Sequence, residues 1–139
     1  MDYILTLFSC VITVMFFLSG LTKLSKVNKV ATGLENRFPI KNLPYWFFQI
    51  SIVLVALLQI LAPVAIVLST TDYENKLINR KNSRKIGLIS CVALVVFTIF
   101  ATLLYHFPPI DSHYYAFISN VTTCGALLLL GKTIYELKY

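Results

Sequence analysis

Gln59 and Asn120 interrupt long apolar stretches of a 139-residue chain. An amide left unpaired in such surroundings costs several kcal/mol, so each needs a partner. That partner can be a neighbouring helix, which makes the amide glue, or a ligand with a complementary donor or acceptor. Lys23 closes the first apolar stretch and also has two readings. It can snorkel to a head-group layer, the commoner use, or carry its charge inward. His106 and His113 bracket a Pro108-Pro109 turn with Asp111 between them, a set that could hold a metal or relay protons. Their spacing matches no metal motif, and histidines satisfied at an interface are the simpler reading.

The groups for bond-making chemistry are missing from the pattern. Cys10, Cys91 and Cys124 all fall in apolar runs and form no C-x-x-C pair, so a dithiol mechanism lacks its residues. Buried free cysteines pack as small hydrophobes. No serine stands in a nucleophile elbow, and no glycine-rich loop could cradle phosphate. No constellation supplies nucleophile, base and oxyanion stabiliser together.

The elements that position these residues follow from composition. The chain is 58% hydrophobic and 13% charged, with a mean hydropathy of +0.77. Soluble domains run near 45–50% apolar and about 25% charged, so the bilayer is the natural solvent. A spanning helix needs about 20 apolar residues. Four stretches qualify, at about 3–21, 46–68, 86–107 and 114–130. No polar–apolar alternation suggests barrel strands, which leaves helices. The expected fold is all-α, an integral membrane four-helix bundle forming one transmembrane domain over residues 1–139. Asp2 at the amino end, a run longer than an h-region and the lack of an A-x-A-like site argue that the first span is not a cleaved signal. Nor are there spans enough for a transporter built from large inverted repeats.

The net charge of +6 gathers at the span edges. Lys23, Lys26, Lys29, Arg37 and Lys41 fill the first connection; Lys76, Arg80, Lys81, Arg84 and Lys85 fill the second; Lys132 and Lys138 follow the last span. With both termini cytoplasmic, seven basic residues lie inside against five outside, which weakly favours that multi-pass topology. Leu24, Val27, Ala31, Leu34 and Phe38 share one helical face. An amphipathic helix over about 24–38, ended by Pro39, is therefore expected in the membrane interface, with lysines toward anionic head groups. The alternative is a linker helix packed on the bundle. Charges split between two loops, without interleaved aromatics, argue against a nucleic-acid partner.

Small and polar residues fall on four stripes. The first span contributes Thr6, Ser9, Thr13 and Gly20, continuing to Lys23, and the second Gln49, Ala56, Gln59 and Pro63. The third contributes Gly87, Ser90, Leu94, Thr98, Ala101 and Tyr105, and the fourth Asn120, Cys124, Leu127 and Gly131. A bundle buried on these stripes, bonded across its interfaces, exposes Phe, Leu, Ile and Val. Burial also argues against glycosylation at the Asn120 sequon. Pro63 is expected to kink its helix and free a carbonyl near Gln59, a way to open a polar cavity.

These landmarks resemble the DoxX family and its DoxX-like relatives, small four-helix membrane proteins. The resemblance rests on Phe16-Phe17-Leu18-Ser19-Gly20-Leu21-Thr22-Lys23-Leu24 and on Gln59 before a leucine-rich run. It also rests on Ala101 with His106, and on Asn120 ahead of Cys124-Gly125-Ala126-Leu127-Leu128-Leu129-Leu130. Gln59 stands where the family usually has an ionisable glutamate, and Cys124-Gly125 where it has two glycines. The resemblance implies an accessory subunit of a quinone-linked oxidoreductase, with quinone in a pocket of Lys23, Gln59, His106 and Asn120. The residues on their own favour a non-catalytic structural or assembly component without a cofactor. Its partners would be the lipid bilayer and other membrane or membrane-associated proteins.

Overall fold

The computed structural model describes residues 3–71, 79–107 and 109–137; Asp2, Lys76, Pro108 and Lys138 lie outside them. The chain is helical, in the order α1 (Tyr3–Ser25), α2 (Val27–Arg37), α3 (Tyr45–Thr70), α4 (Arg80–Tyr105) and α5 (His113–Glu136). No strand occurs among the described residues. The four helices other than α2 are each long and apolar enough to cross a membrane. They run beyond the apolar stretches that mark them, because backbone hydrogen bonding carries a helix on into polar turns. Thus α4 begins six residues before the apolar run at Ile86 and includes Arg80, Lys81, Arg84 and Lys85.

The interior combines an apolar core, including Phe16, Ile66, Leu94, Leu127 and Ile134, with a set of polar side chains, while the exterior is largely apolar. Ser9, Thr13, Gln59, Ser69, Thr70, Thr98 and Thr102 are buried, whereas Leu7, Val11, Leu54, Leu61, Ile89, Phe100 and Leu129 are among many exposed apolar side chains. A surface of that kind calls for apolar surroundings. The stripes read from the sequence all turn inward, each member being buried or half-buried. Helix α1 packs along α3, α3 on α4 and α4 on α5, while α1 and α5 meet at few positions. The bundle is therefore loosest along its α1–α5 edge.

Bonding within the stripes differs from expectation. Most buried hydroxyls return to their own helix: Ser9 donates to Leu5 O at 2.8 Å, Thr13 to Ser9 O at 2.7 Å, Thr98 to Leu94 O at 2.7 Å and Thr102 to Thr98 O at 2.6 Å. These side chains satisfy themselves locally. Bonds between helices are fewer. Thr70 Oγ1 lies 3.2 Å from Thr6 Oγ1, and Gln49 Nε2 donates to Asn28 Oδ1 at 2.8 Å, which ties α3 to α2 rather than to the bundle interior.

Helix α2 is amphipathic, as its spacing predicts, and its apolar face rests on the start of α3. Ala31 is fully buried beside Phe48 and Ile52, with Val27, Leu34 and Phe38 around them. Phe38, Phe47 and Phe48 meet edge-to-face at 5.6–6.5 Å between centroids. Leu24 belongs to α1 instead and is exposed. The helix stops at Phe38, which is extended (φ −72°, ψ 136°) as a residue before proline should be.

Glycine sets the tightest approaches. A Cβ on Gly20 would lie 2.9 Å from Ala56 O and Ile60 Cγ1 and 3.1 Å from Gln59 Cβ. One on Gly87 would collide with the Ser69 side chain. A Cβ on Gly33 in α2 meets nothing within 4 Å. Gly20→Ala is therefore expected to destabilise by about 1–3 kcal/mol, the cost of overpacking. Gly33→Ala should be neutral or up to about 1 kcal/mol stabilising, since alanine is the better helix former. Thermal melting of both variants in mild detergent checks the contrast; equal shifts would remove Gly20 as the critical contact.

Candidate functional site

Where the four long helices converge, a cavity of about 200 Å³ is walled by α1 (Phe16, Ser19, Lys23), α3 (Gln59), α4 (Phe97, Thr98, Ala101) and α5 (Asn120). Beside it a larger, apolar cleft of about 400 Å³ lies between α2, α3 and α4. Lys23, Phe97 and Ala101 border both. A smaller compartment with several polar side chains in a partly apolar wall thus adjoins a larger apolar one.

Gln59 is only 3% exposed, and its Oε1 accepts no hydrogen bond among the described residues. Gly20 brings the backbone of α1 close against the Gln59 stem. Pro63, four residues on, has no N–H to offer the Gln59 carbonyl, so the expected loss of a backbone bond falls on this residue itself. The helix nevertheless stays continuous across Pro63. Pro63 does not wall the polar cavity; it borders a separate apolar cleft of about 290 Å³ between α1 and α3.

Lys23 departs from the snorkelling geometry. Its Nζ donates to Ser19 Oγ at 2.6 Å, one turn back along α1 and away from the end of the helix. The ammonium is half-buried and directed along the cavity wall. Asn120 has a partner: Nδ2 donates to Thr102 Oγ1 at 2.9 Å, bridging α5 to α4. The two amides therefore divide the two roles open to each, Asn120 joining helices and Gln59 keeping an open acceptor.

His106 is not brought to this cavity. It caps α4 just beyond Tyr105, with its Nδ1 3.4 Å from His113 Nδ1. Arg37 stacks over the Tyr105 ring at 4.7 Å nearby. Among the described residues no three His, Cys, Asp or Glu side chains gather as a metal-binding group. Partial burial, then the adjacent His113 and Arg37, holds the His106 pKa below the ordinary imidazole value. Asp111 shapes the turn with a φ of 54°, a left-handed conformation that Asp tolerates better than most residues.

Compared with protein-family models, curated proteins and solved structures, the chain matches none. The site must be read from its own geometry. It offers an ammonium donor and an amide carrying both a donor and an acceptor, groups able to hydrogen-bond a polar ligand. Two contributors were not singled out from the sequence. Ser19 precedes Lys23 by four residues and so shares its face, and Thr102 follows Thr98 by the same interval. The three cysteines are unpaired, Cys91 buried and Cys10 exposed.

Two outcomes are expected here. A double-mutant cycle on Asn120→Ala and Thr102→Ala should give a coupling of about 0.6–1.7 kcal/mol, the usual worth of an interhelical bond in apolar surroundings. A vanishing coupling would remove the α4–α5 bridge. Because folding lowers the proton affinity of His106, the unfolded chain takes up the extra proton on acidification. Stability should hold near neutrality and decline as pH falls below the ordinary value of 6.5 toward the lowered folded value. His106→Gln should flatten that decline in melting curves taken between about pH 7 and pH 5.5.

Proposed function

We propose that the four long helices form a multi-pass membrane bundle, and that the protein is a non-catalytic component of a larger membrane complex. Its cavity holds a lipid-soluble molecule by a polar head. The apolar exterior supports the membrane placement, as do aromatics near both ends: Trp46, Tyr114 and Tyr115 at one, Tyr3 and Tyr135 at the other, all exposed. Helix α2 then lies at the interface on the Lys23 side. The excess of basic residues beside the termini favours a cytoplasmic location for both.

The observation that carries the binding reading is the Gln59 amide, buried with an open acceptor. A ligand whose head bears carbonyl or hydroxyl groups completes it. A carbonyl oxygen would accept from Lys23 Nζ or Gln59 Nε2, and a hydroxyl would donate to Gln59 Oε1. About 200 Å³ is below the ~300–1,000 Å³ of ordinary ligand pockets, so this compartment suits a head group, with the adjoining 400 Å³ cleft taking an apolar tail. Quinones have this form, which makes the accessory-subunit role implied by the DoxX resemblance the specific version of the proposal. An amide in place of the family's glutamate cannot take up a proton. Gln59 would thus bind a quinone without joining its proton chemistry.

Ordered water is the competing way to complete Gln59, and about six molecules would fill the small compartment. Mass spectrometry of the protein extracted in mild detergent, covering small molecules and co-purifying proteins, separates the two. A quinone retained with the native chain and a redox subunit alongside is the expected result. Gln59→Leu should retain it about tenfold less, with melting preserved. Protein partners without any quinone-class molecule would leave an assembly component with a hydrated interior and end the ligand reading.

A further inference from the structure

The opposite end of the bundle carries a further pocket, of about 210 Å³, between the first turns of α4 and the last turns of α5. Its lining is Lys81, Arg84, Lys85, Leu88, Ile134 and Tyr135. We infer that this pocket binds the phosphate head of an anionic phospholipid, with Lys81, Arg84 and Lys85 around the phosphate and Leu88 and Ile134 beneath it against the start of an acyl chain.

Charge is the first argument. Lys81, Arg84 and Lys85 line the pocket with no carboxylate among its lining residues, and Glu136, at the end of α5, lies 3.7 Å from Lys132. Lys81 and Lys85 are both exposed and sit four apart on one helical face, a spacing at which like charges oppose helix formation. They also occupy the first turns of α4, where the helix dipole is positive; no acidic residue stands in the first turn, and Asn79 makes no side-chain cap. A bound anion offsets the Lys81–Lys85 repulsion and is drawn by the positive end of the α4 dipole.

Shape is the second. Helix α5 packs on α4 at Gly131, where an added Cβ would make ordinary contact with Cys91 Cβ and Leu88 Cδ1 at 3.4 Å. One turn further on, Ile134 and Tyr135 lead out to the basic side chains, so the pocket is apolar at its base and cationic at its rim. Arg84 is fixed at that rim, because its Nη1 donates to Leu137 O at 3.0 Å just past the end of α5. Tyr135, 76% exposed, stands beside it as aromatics do at a head-group layer. A pocket graded in this way matches an amphiphile better than a free ion, and basic pockets between membrane helices are suited to anionic head groups. The pocket shares no residue with the Gln59 cavity, so neither reading depends on the other.

Native mass spectrometry of the full chain, released from nanodiscs of phosphatidylcholine mixed with phosphatidylglycerol, tests the inference. The wild type should retain one phosphatidylglycerol in preference to phosphatidylcholine. Lys81→Gln/Lys85→Gln, which leaves the Arg84 bond intact, should retain it about 30-fold less, the worth of two basic residues at an anionic surface. Lys41→Gln, in the loop between α2 and α3 at the other end, should match the wild type. As a readout free of variants, phosphatidylglycerol should raise the wild-type melting temperature above that in phosphatidylcholine, and the rise should shrink with salt. Equal retention by the wild type and the Lys81/Lys85 variant overturns the inference. So does an equal loss in the Lys41→Gln control, or stabilisation by inorganic phosphate with no lipid retained.

Discussion

The contact of Gly20 with α3 governs the geometry of the site. A hydrogen in place of a side chain lets the α1 backbone settle against Ala56, Gln59 and Ile60. That approach fixes the height of α1 along α3, and with it the level at which Ser19 and Lys23 stand beside Gln59. The cavity survives next to this contact because Gln59 and Asn120 project from different helices on either side of α4. Small residues permit such close helix approaches where lipid offers no hydrophobic drive toward association.

Polar groups in this interior are satisfied mainly without reference to neighbouring helices. Ser9, Thr13, Thr98 and Thr102 bond one turn back along their own backbones, so the stripes are polar by residue type yet demand little of the facing surface. Helix register then rests on shape at Gly20 and Gly87 and on a few cross-helix bonds, such as Thr70 to Thr6 and Asn120 to Thr102. Against that background Gln59 stands out. A carboxamide oxygen cannot donate to a helix carbonyl as a hydroxyl does, and Gln59 Oε1 has no hydrogen-bond partner among the described residues.

How much of this could be read from sequence depended on the kind of signal. Hydropathy and the 3.6-residue period located four long helices, an amphipathic fifth and the inward stripes, because burial imposes that period directly. Helix ends were less legible. The turn of α4 from Arg80 to Lys85 and the last residues of α5 are polar, and nothing in their hydropathy marks them as helical. The direction of Lys23 was hidden because snorkelling and inward pointing share the same helix position; the Ser19 hydroxyl decides between them. His106 shared a motif with the cavity residues, yet it caps α4 beyond the cavity wall and turns to His113 instead. A motif records order along the chain, whereas the depth of a side chain along the bundle depends on where its helix stops.

Helix α2 determines how the cavity can be reached. Its apolar stripe is spent on Phe48 and Ile52, and its last residue, Arg37, reaches across to the Tyr105 ring of α4. Helix α2 therefore spans from α3 to α4 over the end of the 400 Å³ cleft, with Val30, Leu34 and Phe38 as part of its lining. On the flank, the cleft is bordered by Phe100, which is 64% exposed to the apolar surroundings of the bundle. A molecule dissolved in water meets the polar back of α2, whereas one dissolved in lipid meets aromatic side chains and then the Lys23 ammonium. For the ligand proposed above, that asymmetry makes the Phe100 flank, and not the polar back of α2, the route to the cleft.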